Sequence, residues 1–124
     1  MDAKLALITG AARGIGLATA HHMIGQGWQV ALIDRDHTAL AEAADALDGG
    51  TAFCCNVSDP GQVTEMIASV TGAYGRIDAV VNNAGVAEFG PIEDTDFACW
   101  RRVMETNLDG VFLVSQAAIP ALKA

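Results

Sequence analysis

Basic residues are scarce in this chain: seven Lys and Arg stand against fifteen Asp and Glu, a formal net charge of -8. A nucleic-acid partner requires a basic footprint, and this balance excludes one. Acidity of this size instead describes a self-repelling, soluble surface. Long apolar runs are missing too. Only a few apolar residues separate Met1-Asp2-Ala3-Lys4 from Thr9-Gly10, too few for a signal-peptide core, and nothing approaches a membrane span. Cysteine is limited to Cys54, Cys55 and Cys99, an odd count with no zinc spacing. Adjacent strand residues point to opposite faces, so Cys54 and Cys55 are poorly placed to bond each other or share a metal. They read as reduced packing residues, and the expected compartment is the cytoplasm. Repeats, low-complexity tracts and linkers are also lacking, so the 124 residues are expected to form a single domain.

What is present is a regular alternation of short β-rich runs with longer helical ones, the pattern of βαβ units around a parallel sheet. The first strand is expected over Leu5–Thr9, an unbroken apolar run buried on both faces. A Gly-rich turn follows, then a helix over 15–24 closed by Gly25 and Gly27, and a second strand over Gln29–Asp34. An Ala-rich helix is expected over 38–47, ending at Gly49-Gly50, and a third strand over 52–57. Ser58-Asp59-Pro60 caps and opens a helix whose Val63, Met66, Ile67 and Val70 keep helical spacing. A fourth strand over 77–82 and a loop through Pro91 lead to a long helix over 97–119, with Pro120 near its end. From Leu108 onward that helix is apolar on every side, which predicts one face on the sheet and another against a partner helix.

Thr9-Gly10-Ala11-Ala12-Arg13-Gly14-Ile15-Gly16 lies after a buried strand and opens a helix, the context a dinucleotide turn requires. Gly10 can take backbone angles that other residues resist, Gly14 allows close approach of a pyrophosphate, and Gly16 allows tight helix-on-strand packing. The helix N–H groups and dipole would receive the phosphate charge. Asp34 ends the second strand twenty-four residues after Gly10, where a carboxylate can accept from ribose hydroxyls and repel a 2′-phosphate. Arg13 and Arg35 pull the other way: they could hold a 2′-phosphate, or they could simply be solvated turn residues. The carboxylate favours NAD(H) over NADP(H).

The spacing Thr-Gly-x-x-x-Gly-Ile-Gly resembles that of the short-chain dehydrogenases/reductases, and three further segments match that family in order. Asn56-Val57 stands where the family has Asp-Val contacting adenine, with the charge lost. Asn82-Asn83-Ala84-Gly85 is similar to the element that steadies the sheet and lines the nicotinamide-ribose side of the site. Asn107, in Glu105-Thr106-Asn107-Leu108, falls on the apolar stripe of Trp100, Val103, Met104, Val111 and Val114. A buried amide there must find hydrogen-bond partners. The reading stays open between a core Asn bonded to neighbouring backbone and the family's catalytic Asn, which helps place a lysine and relay protons.

The resemblance covers all 124 residues. It implies a Rossmann-type three-layer α/β/α fold with strand order 3-2-1-4, an NAD(P)-binding domain, and hydride transfer between nicotinamide and a small alcohol or ketone. The cofactor residues it implies are Gly10, Arg13, Gly14, Ile15, Gly16, Asp34, Arg35, Asn56, Val57, Asn83, Ala84 and Gly85, with Asn107 catalytic and no metal. Family members run to about twice this length and use a Ser and a Tyr-x-x-x-Lys pair. Here Tyr74, in the expected turn before the fourth strand, is followed four residues on by Asp78, and Ser115 sits inside the long helix, far from any strand end. His21 and His22 project about 100° apart on a helix, which suits neither a chelate nor a relay. The chain is therefore expected to be an incomplete dinucleotide-binding half, inactive by itself, with an apolar edge strand and long helix that favour a homo-oligomer. Two other readings are a non-catalytic nucleotide-binding or dimerisation module, and a different Rossmann enzyme such as a methyltransferase. The second leaves Asn82–Gly85 and Asn107 unexplained.

Overall fold

The computed structural model describes residues 3–124. Four parallel strands lie in the order β3-β2-β1-β4: β1 (Leu5–Thr9), β2 (Gln29–Asp34), β3 (Gly50–Cys54) and β4 (Ala79–Val81). Between them run α1 (Gly14–Gly25), α2 (His37–Asp45) and α3 (Pro60–Tyr74). After β4, a 3₁₀ turn at Ile92–Asp94 precedes α4 (Phe97–Met104), a π-helical segment (Glu105–Asp109) and α5 (Gly110–Lys123). The result is the parallel sheet of βαβ units that the alternation of runs predicts, in the α/β/α Rossmann-type architecture that the resemblance implies.

Both faces of β1 and β2 are covered, which is why these strands read as continuous apolar runs. Leu5, Leu7, Ala31 and Ile33 pack with Val63, Val70, Val114 and Ala118 from α3 and α5. Ala6, Ile8, Val30 and Leu32 pack with Ala20 and Leu40 from α1 and α2. Ala6, Ile8, Val30 and Leu32 are fully buried, so each contributes about 1–3 kcal/mol of burial according to its size.

Several element boundaries differ from the sequence expectation. The second helix spans His37–Asp45, because Asp36 caps it by accepting from Ala39 N–H at 3.1 Å. The third strand lies earlier than 52–57, because its ladder with β2 runs from Val30 opposite Gly50 to Asp34 opposite Cys54 and then ends. Asn56 and Val57 thus belong to the turn beyond the strand. The fourth strand is only Ala79–Val81, paired with β1 alone, and forms one edge of the sheet. Asp78 meets β1 there through both backbone and side chain: its N–H donates to the Leu5 carbonyl at 2.8 Å, and its carboxylate accepts from Leu5 N–H at 2.8 Å. Lastly, the long helix continues to Lys123 with Pro120 inside it, and a π-helical turn interrupts it at 105–109. Tyr74 is the last residue of α3 and not part of a turn. No described helix is long and apolar enough to cross a membrane.

The π segment decides which way the helix faces. One extra residue in a turn rotates everything after it by about 100° relative to an unbroken α-helix. Val114 and Ala118 therefore point to the core, whereas Leu108, Phe112, Ile119 and Leu122 are exposed.

Candidate functional site

The loops that follow the four strands meet at one end of the sheet, where parallel α/β folds hold ligands. The turn after β1 is shaped by two glycines in the left-handed region, Gly10 at φ 64° and Gly14 at φ 60°. A Cβ on Gly16 would stand 2.3 Å from the Gly10 carbonyl oxygen, so only glycine lets α1 sit this close to the turn. A Cβ on Gly14 would meet nothing within 4 Å, so the space before the helix is open.

The start of α1 is chemically unlike those of its neighbours. Asp36, Asp59 and Asp96 cap α2, α3 and α4 with side-chain acceptors. At α1 the capping position is Arg13, which supplies none, and no acid lies in the first turn. The N–H groups of Gly14, Ile15 and Gly16 find no acceptor among the described residues. Four orphan donors are intrinsic to any helix start, and here the positive end of the dipole adjoins the open space at Gly14.

Asp34 closes β2 beside this turn. Its carboxylate accepts from Ala12 N–H at 3.1 Å and from Asp36 N–H at 3.0 Å, which ties the first and second loops together. Arg13 pairs with Asp36, and the guanidinium holds the Asp36 carboxyl below the usual carboxylate range. The Arg35 side chain is exposed and makes no ion pair among the described residues.

Beyond β3, Asn56 builds its own turn: its Oδ1 accepts from Ser58 N–H at 3.1 Å and from Ser58 Oγ at 2.7 Å. Val57 is buried against α5, where a Cβ on Gly110 would come within 2.7 Å of it. Burial also pushes the Cys55 thiol up to about 11, so it is a packing group. Cys54, one residue earlier, is exposed, as the alternation of strand faces predicts.

Beyond β4, the buried Thr9 hydroxyl accepts from Asn83 N–H at 3.0 Å and Ala84 N–H at 2.9 Å. Asn83 Nδ2 donates to the Gly10 carbonyl at 3.1 Å, joining the fourth loop to the first. Asn82 Nδ2 donates to Ser115 Oγ at 3.1 Å, so Ser115 lies beside the end of β4. This corrects the expectation that Ser115 is far from any strand end: helix α5 passes directly over that end.

Asn107 also departs from expectation. It is exposed, not buried in an apolar stripe: it lies in the π segment, and Trp100 and Val111 of that stripe are exposed as well. Its amide closes on the backbone of Val86, just past Gly85.

A cleft of about 340 Å³ results, lined by Gly10, Arg13, Asp34, Arg35, Asn56, Val57, Asn83, Ala84 and Gly85 among others. These nine expected residues are brought together. Gly14, Ile15 and Gly16 flank the cleft at the start of α1, with Ile15 pointing largely to solvent, and Asn107 reaches it only through Val86. Sequence reading missed Thr9 as the hub of the fourth loop, and also Val86 and Thr106 in the lining. Thr9 could have been found as the one polar side chain ending an otherwise apolar strand. Thr106 had no signal, since the π segment sets its direction. His21 and His22 are exposed on α1, and among the described residues no three His, Cys, Asp or Glu are grouped to hold a metal.

Comparison with known proteins agrees with this geometry. A family model described as short chain dehydrogenase matches residues 4–124. The chain is 40% identical over 119 residues to 2-(S)-hydroxypropyl-CoM dehydrogenase 3 of Xanthobacter autotrophicus, covering 93% of this chain and 47% of that protein. The crystal structure of a 3-ketoacyl-(acyl-carrier-protein) reductase from Brucella melitensis complexed with NADH superposes with a TM-score of 0.94 at 29% identity, over 98% of this chain and 51% of that one. A short chain dehydrogenase/reductase from Burkholderia phymatum in complex with NAD gives a TM-score of 0.92 at 30% identity, over 98% and 44%. The chain thus spans about half the length of the proteins it matches. A single turn-and-cleft architecture and a family match over residues 4–124 lead to one assignment: this chain belongs to the short chain dehydrogenase family.

Proposed function

We propose that this chain is the NAD(H)-binding half of an oxidoreductase that moves hydride between nicotinamide and an alcohol or carbonyl carbon. One observation carries the reading: the uncapped N-terminus of α1 and the Asp34 carboxylate border the same cleft. The residues present fit a dinucleotide. The N–H groups of Gly14, Ile15 and Gly16 would take the pyrophosphate, and the open space at Gly14 admits it. Asp34 keeps carboxylate lone pairs beyond its two backbone contacts, and these would accept from the adenosine ribose hydroxyls. Asn56 and Val57 would border the base, and Asn83, Ala84 and Gly85 the nicotinamide ribose. Bound nicotinamide would supply or accept the hydride.

NAD(H) is favoured over NADP(H) on charge. A 2′-phosphate would meet the Asp34 carboxylate, and Arg13 is already committed to Asp36. Arg35 is the group that could weaken this preference.

Asn107 acts in this reading through Val86, holding the 83–86 segment against the cofactor. The acid/base step is assigned to a Ser and a Tyr-x-x-x-Lys pair elsewhere in a longer protein, because Tyr74 here precedes Asp78 and ends α3. The substrate would be a small alcohol or ketone. Three free thiols suit a reducing compartment, so a cytoplasmic location is proposed.

The exposed face of Leu108, Phe112, Ile119 and Leu122 supports a second element of the proposal, association of two copies through α5.

The test is fluorescence titration with NADH and NADPH. NADH is expected to bind about tenfold more tightly than NADPH, and Asp34→Ala should weaken NADH by about tenfold while narrowing that gap. No NADH binding by the wild-type chain, or equal NADH affinity in Asp34→Ala, would sink the proposal.

A further inference from the structure

We propose that Asn56 reads the base of the dinucleotide as a hydrogen-bond donor, so that the site takes a 6-oxopurine dinucleotide at least as well as the adenine form. This inference rests on the dinucleotide reading above. A dinucleotide lying over the strand ends presents pyrophosphate, ribose and base in that order. The start of α1, Asp34 and Asn56 follow the same order around one cleft.

The orientation of the Asn56 amide is set by chemistry. A backbone N–H can only donate, so the side-chain atom 3.1 Å from Ser58 N is the carbonyl oxygen. Ser58 Oγ donates to that same oxygen at 2.7 Å, so both of its lone-pair directions are used. The other head of the amide, Nδ2, has no acceptor among the described residues. It is half-buried at the junction of the main cleft and a second cleft of about 420 Å³. What Asn56 offers a ligand is therefore N–H.

Adenine carries an amino donor at its 6-position and an acceptor at N1, whereas hypoxanthine carries an acceptor at O6. A donor aimed at the 6-position conflicts with adenine and pairs with O6. Adenine can still be held through N1, so the wild-type site would not reject it. An aspartate at position 56 would reverse the preference: one oxygen would keep the Ser58 contacts, and the other would accept from the 6-amino group and repel O6.

The experiment is a titration of the protein with NADH and with reduced nicotinamide hypoxanthine dinucleotide, in wild type and Asn56→Asp. The ratio of the two dissociation constants within each protein is the readout. Wild type is expected to bind the hypoxanthine form within threefold of NADH or more tightly. Asn56→Asp should shift the ratio by about tenfold or more toward NADH, the scale of one mismatched polar contact. A wild-type preference for NADH of tenfold or more overturns the inference, whether or not the variant folds. So does an unchanged ratio in a folded variant. Either result leaves the dinucleotide reading standing; only the failure of wild type to bind either dinucleotide removes both.

Discussion

Asn107 and the backbone of Val86 close on each other through two hydrogen bonds: Val86 N–H donates to Asn107 Oδ1 at 2.8 Å, and Asn107 Nδ2 donates to the Val86 carbonyl at 2.9 Å. A side-chain amide here does the work of a neighbouring strand, pinning the segment that lines the cleft after Gly85. Asn107→Ala removes both contacts. It is expected to cost about 1 kcal/mol of stability and to weaken NADH binding three- to tenfold. Faster hydrogen exchange at Val86 N–H identifies the clamp, and unchanged exchange there would refute it. Asn107→Asp should not rescue, because its second oxygen would meet the Val86 carbonyl.

Gly14 and Gly16 lie two residues apart in sequence but meet different surroundings. Gly16→Ala places a methyl 2.3 Å from backbone at Gly10, and a destabilisation of about 2–3 kcal/mol is expected from the forced shift. Gly14→Ala meets no atom but must hold φ near 60°, at about 1–2 kcal/mol. Its methyl would stand where phosphate is proposed to bind. Urea melts and NADH titrations together should show Gly16→Ala failing mainly in stability and Gly14→Ala mainly in binding.

Asp78 joins β1 to Arg76. It accepts from Leu5 N–H at 2.8 Å and from Arg76 at 2.7 Å twice, and these contacts hold its carboxyl down to about 2. An unfolded Asp titrates near 3.9, so the stabilisation is fully present above about pH 4 and is lost as pH falls through 2. Asp78→Asn should lower the urea midpoint at pH 7 by the equivalent of about 1 kcal/mol. The gap between wild type and variant should close between pH 4 and pH 2. A gap that stays constant over that range would show that the charge contributes nothing.

The exposed face of α5 predicts a size. Leu108 and Phe112 are 58% and 61% exposed one helical turn apart, and β4 pairs with β1 on one side only among the described residues. The chain is expected to elute as a dimer or larger at micromolar concentration. Leu108→Glu with Phe112→Glu should shift it toward the monomer without loss of helical signal. A wild-type monomer at all concentrations would refute the association.

The sequence by itself determined the alternation of strands and helices around a parallel sheet and the glycine turn after β1, while the strand order came with the family resemblance. These rest on local facts: apolar runs in β1 and β2 that only a doubly covered sheet accommodates, and glycines at 10, 14 and 16 whose spacing suits one kind of turn. Asp34 was legible because it ends a strand. Tertiary structure decided what depends on neighbours distant in sequence. Where β3 ends is set by where β2 stops pairing with it, so Asn56 falls in a turn and commits its oxygen to Ser58. Where Asn107 points is set by a π-helical turn that no local pattern announced, so an amide expected in the core instead pins Val86. Ser115 reaches the end of β4 only because α5 crosses it. Hydrophobic periodicity reports which residues must leave water, but which partner a polar side chain finds depends on loops brought together by the sheet.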